Sequence, residues 1–119
     1  MVTTFYQTGP NGLFIFYQVF NLILQSAPVL FLINTKKDSE FGERDASVAA
    51  ENIMLEATDL DLGSVYIMGG AARLNDFNDL QQELGIDPAF QTTVIVAVGK
   101  SAVEPEKEDR SKRYQVTIY

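Results

Sequence analysis

From Asp45 onward the apolar residues fall on a helical repeat. Ala46, Ala49, Ala50, Ile53, Ala57 and Leu60 stand at i, i+3, i+4, i+7, i+11 and i+14, one face of an α-helix. Alanine dominates that face, so whatever packs on it comes close. Val48, Leu55 and Leu62 form a second apolar strip seven residues apart, and only Asn52, Glu56 and Asp59 keep a consistent polar line. The spacing therefore predicts a helix covered on most of its sides, its alanines letting another helix or a sheet approach closely. Gly63 is placed to end it in the left-handed conformation.

Three apolar runs can form a sheet beneath this helix. Residues 27–35, APVLFLINT, enter on Pro28 and show no alternation, the pattern of a strand covered on both faces. SVYIM (64–68) and TTVIVAVG (92–99) read as two more buried strands. NDFNDLQQELG between them predicts a helix with Asn75 as N-cap, Phe77, Leu80 and Leu84 on one face, and Gly85 at C′. KKDSEFGER reads as a charged surface loop, TGPNG (8–12) as a turn, and 100–113 as an exposed charged segment.

LFIFYQVFNLIL (13–24) carries strand-favouring residues over a helical length and is taken as a helix. Gln18, Asn21, Gln25 and Pro28 interrupt it short of the about 20 apolar residues a membrane span requires, and no basic residue precedes it as in a secretory signal. The last residues, 114–119, alternate as a strand that needs an edge to pair with. Nothing local offers that edge, so the strand is expected to reach another subunit. The order predicts one layered domain over 1–119, with helices on a sheet.

The inventory narrows the chemistry. Sixteen acidic against nine basic residues leave a net charge of −7, which opposes nucleic acid and anionic membrane as partners. With no cysteine and no histidine, thiolate nucleophiles, serine–histidine catalysis and histidine–zinc sites are excluded. Carboxylates, lysines, tyrosines or a borrowed cofactor remain to do chemistry, an inventory that favours a cofactor if the chain is an enzyme. Glu51, Glu56, Asp59 and Asp61 read as a wet helix face rather than a catalytic pair, and no metal set stands out.

Two features remain. Gly69 and Gly70 follow the SVYIM strand but form no G-x-G-x-x-G with Gly63. They supply either a tight turn with positive φ or a stretch of bare N–H groups for a flat or anionic ligand at a strand's carboxyl end. The basic run Lys107, Arg110, Lys112 and Arg113 is interleaved with Glu104, Glu106, Glu108 and Asp109. It is either a self-neutralised surface or, if the adjoining strand docks, a phosphate anchor through Arg110 and Lys112.

SAPVLFLIN, then DASVAAENIMLEATDLDLGSVYIMGG, then LGIDPAFQTTVIVAVGKS resemble in order and spacing the carboxyl-terminal half of the nitroreductase family of flavoproteins, across residues 26–113. The resemblance implies an α+β fold, a layered sheet with flanking helices, truncated at the amino terminus. It also implies a homodimer with FMN at the subunit interface, passing a hydride from NAD(P)H to flavin and two electrons to nitroaromatic or quinone acceptors; a cytoplasmic location is the separate default expectation from the interrupted 13–24 run and its missing basic flank. By position, the helix from Asp45 would line the dimer interface. Met68, Gly69 and Gly70 would lie by the isoalloxazine ring, Arg110 and Lys112 by the FMN phosphate, and RYQVTIY would be exchanged with the partner. No catalytic side chain is assigned.

The family's amino-terminal arginine-serine-arginine and proline-serine-asparagine-glutamine segments have no counterpart here, and Asp61 replaces the first glycine of its GLGS turn. The resemblance thus implies half a flavin site, completed by a second copy or by a separate chain. The alternative is a non-catalytic flavoprotein remnant that dimerises without binding FMN.

Overall fold

A computed structural model describes residues 2–6, 27–104, 106–107, 109 and 117–118. The 13–24 stretch, the TGPNG turn, most of the terminal strand, Arg110 and Lys112 lie outside those residues. The elements are β1 (Val2–Tyr6), β2 (Val29–Lys36), α1 (Gly42–Asp59), β3 (Gly63–Ile67), α2 (Gly69–Leu74), α3 (Asn78–Glu83) and β4 (Phe90–Gly99). β1 was not foreseen.

The strands form one antiparallel sheet in the order β1-β2-β4-β3. Along β4, Val94, Val96 and Val98 join Ile33 of β2 against Ala46, Ala50 and Ala57 of α1. The intervening Ile95 and Ala97 join Leu32 and Ile67 against Ala71 and Leu74 of α2 and the Leu84–Ile86 corner after α3. Each strand face therefore has its own helical cover. That is why β2 and β4 show unbroken apolar runs although the sheet is antiparallel, where a single solvated face would have imposed alternation.

The small residues of α1 set its distance from the sheet, since Ala46 and Ala50 are wholly buried. The helix begins at Gly42, three residues before the expected start, and takes the end of the KKDSEFGER loop with it. Gly42 allows this start: a Cβ there would lie 2.9 Å from Thr35 Oγ1, so only glycine fits against β2. Glu43 and Asp45 in the first turn suit the positive end of the helix dipole.

The helix does not end on Gly63, which belongs to β3. Asp61 takes the left-handed conformation, with φ 55°. Leu62 N–H donates to Ala57 O at 2.8 Å and Asp61 N–H to Thr58 O at 3.1 Å, the paired bonds of a Schellman cap with Leu62 as its apolar anchor. Gly85 does play the expected part after α3, with φ 69° and Ile86 N–H donating to Gln81 O at 2.9 Å.

β3 is less buried than its apolar sequence suggests. It pairs with β4 alone, its outer edge has no neighbour among the described residues, and Val65 is 57% exposed. The outer strip of α1 is open as well, with Val48 64% and Leu55 58% exposed, so part of the predicted covering is absent from the described residues of the single chain. No helix among the described residues is long and apolar enough to cross a membrane.

Candidate functional site

Met68 is the joint between β3 and α2. Its backbone is right-handed (φ −92°, ψ −46°) and its side chain is largely exposed. Gly69 and Gly70 follow as the first helical residues, and neither has positive φ, so a left-handed turn is not the reason for glycine here. The pair divides in its surroundings: Gly70 is buried and Gly69 exposed. A Cβ built on Gly69 meets no heavy atom of the described residues within 4 Å. Glycine at 69 therefore relieves neither a clash with them nor a strained φ, yet it forfeits helix propensity of up to about 1 kcal/mol. N–H groups in a first helical turn have no acceptor in their own helix. Bare main chain thus borders open space at this corner.

α2 is short, and it is seated by packing and by one side chain. Ala71 and Leu74 are buried against β4 and β3. Asn75, expected as the N-cap of the next helix, instead closes α2, while Phe77 occupies the N-cap position of α3 without a side-chain cap. The Asn75 carboxamide bridges to β4: its Nδ2 donates to Thr92 O at 2.8 Å and its Oδ1 accepts from Thr92 N–H at 2.9 Å. A carboxamide carries one donor group and one acceptor, so it can pair with a strand residue as a peptide unit would.

The clamp is tied in further. Gln81 Nε2 donates to Asn75 O at 2.9 Å, and Thr92 Oγ1 donates to Asn34 Oδ1 at 2.7 Å. Sequence reasoning missed this role because asparagine before a helix reads as a cap, whereas its bridge depends on a residue seventeen positions away.

Beside Met68 a cleft of about 310 Å³ opens between the start of α1, the end of β3, α2 and the start of β4. Ser47 and Tyr66 stand on its wall. The Ser47 hydroxyl donates to Glu43 O at 2.7 Å and lies 3.1 Å from the Tyr66 hydroxyl. On its floor the register between β2 and β4 slips, so that Ile33 pairs with Val94 and Asn34 with Thr92. Thr93 is the extra residue of that bulge, and its hydroxyl meets that of Thr35 at 2.6 Å. Among the described residues Glu43 is the one charged group lining the cleft. Nothing in the spacing of Ser47 and Tyr66 announces their meeting, which follows from α1 lying back over β3.

The structure therefore brings Met68, Gly69 and Gly70 to one corner with the cleft next to it. Arg110 and Lys112 lie outside the described residues. The charged wall of the cleft is acidic, so its described residues do not suit a phosphate.

Comparison with known proteins places the corner in context. The Nitroreductase family model matches residues 6–100. A nitroreductase family protein from Clostridium difficile 630 superimposes with a TM-score of 0.65 at 20% identity, over 99% of this chain and 69% of that one. A nitroreductase with bound FMN from Bacteroides fragilis gives 0.64 at 22% identity, over 77% and 52%. An FMN-dependent nitroreductase from Clostridium difficile R20291 gives 0.61 at 24%, over 82% and 62%. At such identities these likenesses establish the fold, and the chain spans between half and about two thirds of the length of those proteins. No curated protein matches the chain.

Proposed function

The chain belongs to the nitroreductase family, and from that membership we propose that it forms part of an FMN-dependent oxidoreductase, with the edge of the flavin ring against Met68, Gly69 and Gly70. The observation that carries the reading is the unfilled space at Gly69, where the described residues give no use for a glycine. A ligand that approaches main chain at a strand's carboxyl end explains the missing side chain. The fit is to the ring half of the cofactor. Its phosphate would need cations, for which Arg110 and Lys112 are the candidates by sequence.

FMN, when bound, would supply the redox chemistry, hydride acceptance from NAD(P)H and two-electron reduction of a nitroaromatic or quinone. The chain's own residues hold the ring edge with main-chain N–H groups, keep a side chain out of its path at Gly69, and fix the corner through the Asn75 clamp. No side chain near the corner is required to exchange a proton, in keeping with the absence of histidine and cysteine.

A homodimer, or a complex with a chain that supplies the other half of the site, belongs to the same proposal. It is supported by the apolar strip Val48 and Leu55 on α1 and by the outer edge of β3, unpaired among the described residues, which carries neither a charge nor a proline to discourage strand addition. The terminal strand 114–119 of a partner is the proposed occupant of that edge, and a cytoplasmic location completes the reading.

An absorbance scan of purified protein, followed by titration with FMN, tests the function. Flavin bands that co-purify or are restored in proportion to protein support it. Colourless protein that ignores added FMN, yet sediments as a dimer, would favour the non-catalytic remnant.

A further inference from the structure

The cleft beside Met68 carries a chemical preference that can be worked out from its hydrogen atoms. Ser47 has a single hydroxyl proton, and it is donated to Glu43 O at 2.7 Å. The 3.1 Å contact between Ser47 Oγ and the Tyr66 hydroxyl must then use the proton of Tyr66. With that proton spent inward, the Tyr66 oxygen faces an occupant as an acceptor. Thr93 and Thr35 share one hydrogen bond, 2.6 Å from hydroxyl to hydroxyl, and the Asn75 and Gln91 carboxamides bring N–H groups to the lining as well, so the bias of the cleft is set by its charge. Glu43 adds a carboxylate, and among the described residues no cation lines the cleft. Met68, Ala72 and the ring of Tyr66 provide apolar wall between these acceptors.

We propose that this cleft binds a small flat ring bearing N–H donors or a positive charge, and discriminates against a carboxylate on the same ring. Its volume of about 310 Å³ is at the lower end of ligand pockets, which span about 300–1,000 Å³, so it admits one ring rather than a dinucleotide. Met68 lines the cleft and immediately precedes Gly69, which brings an occupant next to the open corner. The further assignment of the cleft as the place of the flavin's reaction partner rests on the function proposed above; the binding preference does not.

The test uses ¹⁵N-labelled full chain without flavin, titrated separately with benzamidine, benzamide and benzoate. The amide signals of Ser47, Tyr66 and Ala72 are expected to shift with benzamidine and benzamide. Benzamidine should bind about fivefold more tightly than benzoate, the range of a single screened ion pair. Glu43→Gln, on the exposed first turn of α1, should bring that ratio close to one and leave benzamide unchanged. Tyr66→Phe should weaken benzamide a few-fold by removing the acceptor.

Shifts confined to other parts of the chain, no shifts up to the solubility of the probes, benzoate binding as tightly as benzamidine, or a preference that survives Glu43→Gln would each overturn the proposal. The two readings fail separately. Protein that shows the cleft pattern but takes up no FMN refutes only the flavin function, and yellow protein without the pattern refutes only the cleft.

Discussion

Replacing Gly69 by alanine should move stability and cofactor affinity in opposite directions. The added methyl group meets none of the described residues within 4 Å and φ is not positive, so the folded chain accepts it without strain. The unfolded chain loses conformational freedom, and such glycine-to-alanine changes stabilise by about 0.4–1 kcal/mol. For a domain of this size that raises the melting temperature by about 2–6 °C. If the flavin ring lies against this backbone, the same methyl intrudes on its contact surface. Overpacking costs about 1–3 kcal/mol, equivalent to a loss of about 5- to 150-fold in FMN affinity. Calorimetry on flavin-free protein gives the first quantity and quenching of FMN fluorescence the second. A lower melting temperature would show that the space is occupied by this chain after all. A higher one with unchanged FMN affinity would place the ring elsewhere.

Asn75→Ala leaves the buried Thr92 N–H and C=O without partners and should cost about 2–4 kcal/mol, read as a shift in urea midpoint at constant slope. Asp61→Gly relieves a left-handed residue that bears a Cβ and should stabilise by about 0.5–1 kcal/mol in the same assay. Gly42→Ala drives a methyl into Thr35 and should destabilise by about 1–3 kcal/mol by thermal melt. Leu55→Glu should convert a dimer to monomer in sedimentation velocity; a variant that stays dimeric despite the buried charge this would create excludes the outer strip of α1 as the interface.

How far the sequence could be read depended on whether the signal was local. The Ala46–Ala50–Ala57 face of α1 was legible because periodicity records which side is covered, and the strands at 29–36 and 90–99 because an unbroken apolar run marks a strand covered on both faces. The left-handed residue after α3 was legible because glycine is the cheapest occupant of that conformation. The one after α1 was misplaced onto Gly63, since Asp61 carries no comparable signal and its conformation is enforced by the two Schellman bonds and the anchoring of Leu62. Asn75 and the Ser47–Tyr66 pair could not be read at all, because each acquires its meaning from a residue seventeen or nineteen positions away that only the fold delivers.

The residues that misled are also the most informative about what the described residues do not supply. Val48, Leu55 and Val65 were expected to be buried and are exposed, and the left-handed turn that Gly69 could have served is not there. A periodic apolar strip without a cover and a glycine without a steric reason are the same kind of discrepancy: the sequence satisfies a constraint that the contacts among the described residues do not impose. Packing within the chain accounts for Ala46, Ala50 and Gly42, where the neighbour that demands a small residue is visible in β2 or β4. At the outer face of α1, the free edge of β3 and the opening at Gly69 no described residue makes the demand, and all three lie around one strand and the helix packed on it. A second chain over α1 and β3 and a flat ligand at Gly69 would therefore meet close to each other. For that reason the dimer and the flavin stand as one proposal, and Leu55→Glu should weaken FMN binding although Leu55 does not line the cleft.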